Sequence, residues 1–198
     1  MFLLRRPSSD DIQRFVDRSR TLPVSYSPTG IVRHSSNVHR LDEQVVVIGH
    51  GEADFERARL ALTQWKHFDI GWVEVFPRKA AIESGTVVAV VIRHLGFWSL
   101  NGARLLYTVG GNQGEDAFGY AYGTLTNHAE SGEEVFEVFI NRDSGDVSYR
   151  IRAMSWPQSI LARIGQPIVR VLQEHFRRDS AAAMKRATSP ILHWPSDS

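Results

Sequence analysis

The chain is 198 residues long, 42% hydrophobic and 23% charged, which suits one generous globular domain or two cramped ones. Its 23 Lys and Arg against 22 Asp and Glu leave a net charge of +1, a balance that argues against a dedicated nucleic-acid binder or a polybasic membrane anchor. Cysteine is absent, which removes disulfides, thiol nucleophiles and thiolate zinc sites.

Met1-Phe2-Leu3-Leu4 is apolar, but Arg5, Arg6 and Pro7 follow it, the wrong charge order and too short a run for a signal peptide. The longest internal apolar stretch, Val87 to Ile92, is strand-sized and far below a membrane span. The expected location is therefore the cytoplasm. Residues 1–44 read as an arm packed on the domain. In it Ser8-Ser9-Asp10-Asp11 caps a short helix through Ile12, Phe15 and Val16, and Pro23, Pro28 and Gly30 break up the segment around Tyr26.

Residues 45–187 carry the main pattern. Val45-Val46-Val47-Ile48 is a short β-branched run, hence a buried strand. Gly49-His50-Gly51 breaks it, and Phe55, Ala58, Leu62 and Trp65 then recur at helical spacing behind the acidic Glu52 and Asp54. Trp72-Val73-Glu74-Val75-Phe76 alternates as a strand. Five more strand candidates follow at 86–94, 97–109, 117–125, 134–140 and 147–154, joined by turns rich in Gly and Asn. Short connections of that kind imply hairpins, and so an antiparallel meander. A long helix closes the domain. It opens at Pro157 and carries an apolar stripe of Leu161, Ile164, Ile168, Val171, Leu172, His175 and Ala182, with Gly165 and Pro167 as a kink and Arg163, Arg170 and Arg177 on its outer side. Residues 188–198 read as a flexible tail despite Trp194.

Strand, helix, six-strand meander and long helix make an α+β order. An antiparallel meander sheet curled around a long C-terminal helix resembles the helix-grip fold of the START-like (SRPBCC) superfamily, whose members enclose a pocket for an apolar ligand. The closer likeness lies in motifs. Ser25-Tyr26, Gly49-His50-Gly51 before Phe55, Phe68-Asp69-Ile70-Gly71-Trp72-Val73, Phe118-Gly119-Tyr120-Ala121-Tyr122-Gly123-Thr124-Leu125, Gly132-Glu133-Glu134 with Phe136, and Phe176 through Asp179-Ser180 to Met184 resemble domain-of-unknown-function family nineteen-ninety. That resemblance implies the START-like fold. It carries over no activity and no catalytic residue.

The glycine motifs do not read as phosphate loops. Gly49-His50-Gly51 has Asp54 where a dinucleotide fingerprint needs its third glycine, and an aspartate repels pyrophosphate. Gly110-Gly111-Asn112-Gln113-Gly114 lacks the Lys-Ser/Thr of a P-loop and reads as a hairpin. The segment from His128 to Glu134 holds an imidazole and three carboxylates, enough for a metal or for proton transfer. Without a second histidine at helical spacing, it reads as a solvated hairpin, with Glu134 able to point inward.

Polar residues inside apolar strands carry more. Burying a guanidinium costs several kcal/mol unless it is paired, so Arg104 either faces outward, closes the sheet through an internal ion pair such as one with Glu134, or meets a ligand. Asn101 and Arg104 lie an odd number of residues apart and share a face only if a bulge intervenes, with Gly102 as its natural place. Phe118, Tyr120 and Tyr122 share one strand face opposite Gly119, Ala121 and Gly123, where small residues admit another element such as the C-terminal helix or leave room for a ligand. The arginine series on that helix reads as a solvated face or a partner surface.

The function these features support is binding of a small apolar or amphipathic molecule between sheet and helix. Its candidate contacts are Trp72, His94, Asn101, Arg104, Tyr107, Tyr120, Tyr122 and Glu134. No cofactor, metal or nucleic acid is called for, and neither a membrane span nor an oligomeric state is legible. The alternatives are a cyclase, hydrolase or lyase that uses His94, Tyr122 or Glu134 for proton transfer, and an interaction domain that works through the arm or the arginine face.

Overall fold

A computed structural model describes residues 2–34, 41–94, 96–110, 116–157 and 166–189. The turn at Leu95, the hairpin residues 111–114, Leu161, Arg163, Ile164 and Gly165 of the expected helix, and the tail from 190 onward, Trp194 included, lie outside the described residues.

The elements in chain order are β1 (Phe2–Leu3), α1 (Ser9–Ser19), β2 (Asp42–His50), α2 (Glu52–Thr63), a 3₁₀ turn (Lys66–Phe68), β3 (Val73–Phe76), β4 (Val87–His94), β5 (Phe97–Gly110), β6 (Ala117–Thr124), β7 (Glu130–Ile140), β8 (Asp146–Pro157) and α3 (Gln166–Thr188). Strands β3 to β8 pair antiparallel in sequence order, and β2 joins the far edge beside β8. The expected meander is therefore present, curled around the C-terminal helix as an α+β helix-grip. β1 adds a short pair on β5, Phe2 opposite Ser99 and Leu3 opposite Trp98. No described helix is long and apolar enough to cross a membrane.

The local reasons match the residue chemistry. Ser8 caps α1 in a reciprocal box with Asp11, and Ile12 and Val16 are the buried face. The turn from β2 to α2 rests on Gly51, whose φ of +79° suits glycine. There the Asp54 carboxylate takes the His50 N–H at 2.8 Å. The residue that denies a dinucleotide fingerprint thus ties the last residue of β2 to the first turn of α2.

Strand alternation sorts the side chains onto two faces. On the concave face, Val88 and Val90, Ala103 and Leu105, Tyr120 and Tyr122, Phe136 and Val138, and Tyr149 and Ile151 meet α2, the 3₁₀ turn and α3 in one core. On the convex face, Val87, Ala89, Val91, Leu100 and Leu125 are covered by Ile12 and Val16 of α1, and Ala121 and Val135 by Val32. Burial on both faces explains why β4 reads as an unbroken apolar run.

Three expectations need correction. Strand β8 runs on to Pro157, with Trp156 opposite Ser131 and Pro157 opposite Glu130. Pro157 therefore ends a strand instead of opening the helix, because β7 begins at Glu130, four residues earlier than its apolar pattern suggests. The inward stripe of α3 is only in part the expected one: Leu172 faces the sheet as expected, but so does Arg177, expected on the outer side. Val171 is half exposed, His175 and Ala182 are exposed, and Ser180, Ala181, Met184 and Thr188 are buried. Helix phase is hard to read where alanines and a serine occupy the core side. Ser180 earns its place by meeting the Tyr149 hydroxyl at 2.9 Å. Finally, the small residues of β6 receive the arm, not the C-terminal helix: a β-carbon at Gly123 would lie 2.7 Å from the Tyr26 hydroxyl.

Candidate functional site

Aromatic side chains fill one end of the concave space. His67, fully buried in the 3₁₀ turn, meets the Tyr120 hydroxyl at 2.8 Å through Nε2. Its ring lies 4.7 Å from Phe136 and 6.2 Å from Tyr149, centre to centre. Burial pushes this imidazole down to about 3, so it is neutral and acts as packing. Toward the other end the concave positions shrink to Ser99, Gly132, Ala153 and Ser155, and the sheet no longer fills the space beneath α3. A cavity of about 210 Å³ results, closed on the helix side by Leu172, Gln173, Phe176 and Arg177 and walled by Phe68, Trp72, Val90 and Ile92.

A few polar groups interrupt that apolar lining. The Tyr122 hydroxyl donates to Glu134 Oε2 at 2.7 Å. Burial raises the Glu134 carboxyl to about 7, against the opposing pull of the Tyr122 hydrogen bond and Arg177 and with the help of nearby Glu130. Burial likewise lifts Tyr122 well above its ordinary range and raises Glu130, which accepts from Gln173 at 3.0 Å. His128 accepts the Glu130 N–H at 3.0 Å through Nδ1, and burial holds it down at about 4. Asn101 donates to Ser99 Oγ at 3.0 Å. At the mouth, Arg177 stands 3.9 Å from Asp42. The Trp72 indole N–H donates to Asp179 of α3 at 3.0 Å and so fixes the wall to the helix.

This arrangement offers a ring-sized apolar volume with a carboxyl poised between its two protonation states near neutrality. Among the described residues, no group of three or more metal-ligating side chains converges.

Of the sequence candidates, Trp72, His94, Asn101, Tyr122 and Glu134 line the cavity. Tyr120 lies beyond it in the filled end. Arg104 and Tyr107 lie on the opposite face of the sheet. Arg104 donates to the carbonyls of Arg20 at 3.0 Å and Leu22 at 2.8 Å, just after α1, so it neither pairs with Glu134 nor meets the cavity. Asn101 and Arg104 do part company as their odd spacing requires. The bulge in β5 falls between Leu105 and Tyr107, not at Gly102, and it turns Tyr107 outward, where it donates to Glu133 at 2.7 Å.

The segment from His128 to Glu134 is not the solvated hairpin its composition suggests. Ser131 and Glu133 are buried, and Glu130 and Glu134 face the cavity while Glu133 faces the convex side. A two-residue period in β7 thus splits the three carboxylates between faces, which also prevents them from acting as one cluster. Sequence reading missed Phe68, Gln173, Phe176 and Arg177. The last three recur at i, i+3 and i+4 on one helix face, a signal obscured by the wrong phase.

Residues 25–183 match the profile of a family described as Domain of unknown function (DUF1990). A UPF0548 protein of Dictyostelium discoideum is 34% identical over 206 residues, 94% of this chain and 95% of that protein. One of Deinococcus radiodurans is 33% identical over 201 residues, 94% and 98% of the two chains. Among solved structures, a hypothetical protein of Helicobacter pylori superposes with a TM-score of 0.55 at 9% identity, over 85% of this chain and 98% of that one. The Zhui aromatase/cyclase of Streptomyces gives 0.51 at 15% identity, over 75% and 93%. At such identities the likeness is one of fold.

Proposed function

The chain belongs to the DUF1990 family, and we propose that it binds a small, largely apolar molecule with one polar end in the cavity between sheet and C-terminal helix. The observation that carries this reading is the 210 Å³ volume itself, apolar but for a few convergent groups. An enclosed apolar cavity of roughly 150 Å³ takes up benzene, so this one suits a single substituted ring or a short branched chain and is too small for a long lipid.

Native mass spectrometry of the purified chain, followed by ligand-observed NMR with single-ring compounds, tests it. A bound small mass or saturable ring binding is expected, and Ala153→Phe, which fills the cavity from the sheet side, should weaken it at least about tenfold (~1.4 kcal/mol) while circular dichroism stays unchanged. Binding that survives Ala153→Phe would place the ligand elsewhere, and absence of any binding would sink the reading.

A second reading, proton-transfer chemistry on the bound molecule, is favoured by one observation: Glu134, held at about 7, hydrogen-bonded to Tyr122 inside an apolar wall. It requires that a co-purified compound be converted by the wild-type chain and not by Glu134→Gln.

A further inference from the structure

We infer that the ligand of this cavity carries a cationic amine, whose ammonium meets Glu134 while its apolar body lies among Phe68, Trp72 and Phe176. This rests on the binding reading above and adds the charge of the polar end.

The geometry around Glu134 favours a cation. Its Oε2 takes the Tyr122 hydroxyl, and among the described residues Oε1 has no hydrogen-bond partner. Aromatic rings line the cavity beside the carboxyl: the Tyr122 ring, which carries the donating hydroxyl, lies 6.4 Å from Phe68, and Phe68 lies 5.3 Å from Phe176, centre to centre, and all three share the cavity wall with Glu134. Ring faces carry negative electrostatic potential and attract an ammonium within about 6 Å. A carboxylate backed by such rings therefore complements an organic cation on two independent grounds.

The charged groups facing Glu134 point the same way. Glu130 of the same strand and Asp42 of β2 line the cavity, as do His94 of β4 and His128, both pushed toward the neutral form by burial. Among the described lining residues, Arg177 of α3 is the one Lys or Arg, and Asp42 already stands beside it. An anionic head would have to draw Arg177 away from Asp42 and bring negative charge toward Glu130 and Glu134. An ammonium leaves the Arg177–Asp42 pair in place and, although Arg177 already acts on Glu134 from the helix side, gives the Glu134 carboxylate a direct charged donor.

Three probes of nearly equal shape decide the matter: phenethylamine, 2-phenylethanol and phenylacetate, titrated calorimetrically into the full chain at about pH 8, where Glu134 is ionised. The amine should bind at least about tenfold more tightly than the alcohol, and the carboxylate most weakly. Glu134→Gln, which keeps an acceptor for Tyr122, should remove the amine's advantage over the alcohol, with unchanged circular dichroism showing that the variant is folded. Equal binding of amine and alcohol overturns the inference and leaves the binding reading standing. Tightest binding by phenylacetate also overturns it and assigns the polar end to Arg177. If none of the three binds, both readings fail together.

Discussion

Glu133 and Glu134 are neighbours in sequence with opposite environments. Glu133, 2% exposed, accepts from the Tyr26 and Tyr107 hydroxyls and the Gly30 N–H at 2.7 Å and from the Val32 N–H at 3.3 Å. Glu134 faces the cavity with one hydroxyl donor, and that difference makes its proton a reporter of the site. A carboxyl raised in the folded state keeps its proton over a window in which the unfolded chain has lost it. Stability therefore falls as pH rises from the ordinary 4.5 through about 7. His67 and His128 have the reverse sign. Burial lowers them to about 3 and about 4, so their contribution is present above 6.5 and fades as pH falls. These windows overlap, and the difference between two chains separates them. Relative to wild type, Glu134→Gln should gain roughly 1 kcal/mol between about pH 6 and about pH 8, read from urea midpoints at both ends. A difference that does not change with pH would mean that Glu134 is ionised throughout.

At the level of elements, that same alternation lets β7 serve two purposes, one face lining the cavity and the other holding the arm. The Glu133 carboxylate satisfies two backbone donors of the arm, and Arg104 caps the chain just after α1 by binding two carbonyls. Glu133→Gln presents an amide N–H₂ to a nest of donors and leaves at least one of them unpaired. Loss of about 3 kcal/mol is expected, with faster hydrogen exchange through residues 24–32 and unaltered protection in β7. Uniform loss of protection across the sheet would instead make Glu133 part of the global core. None of this clamp was legible beforehand, because its donors lie about a hundred residues upstream, and no local pattern marks a carboxylate for partners that distant. The strands were legible where β-branched runs end in Gly or Asn turns, as in β4, β5 and β6, and α1 was legible from Ser8 and Asp11. The bulge that turned Tyr107 outward has no glycine to announce it. The phase of α3 was lost because Ser180 and small alanines face inward while Val171 faces out. Errors in phase and bulge placement are why some candidates landed on the cavity wall and others behind the sheet.

Across the whole molecule, the sheet is a shared wall covered on its concave face by the end of the chain and on its convex face by the beginning. The two covers differ in what they leave. Under α3 the side chains shrink to Ser99, Gly132, Ala153 and Ser155 and leave a cavity, whereas under α1 Val87, Ala89, Val91, Leu100 and Leu125 pack directly against Ile12 and Val16. The inner cover thus makes the site and the outer cover completes the fold. Removing residues 1–22 tests that division. Five buried apolar side chains would then face water, and at ~1 kcal/mol or more for each larger one the loss is on the order of 5 kcal/mol. That is comparable with the whole margin of an ordinary domain, about 5–15 kcal/mol. The shortened chain should self-associate in sedimentation velocity and bind a hydrophobic dye more strongly than the full chain, because an exposed apolar patch of that kind seeks cover. Monodisperse behaviour with unchanged dye binding would show that the convex face is not apolar enough to need its cover. The division of labour between the two faces would then be wrong, even with the cavity intact.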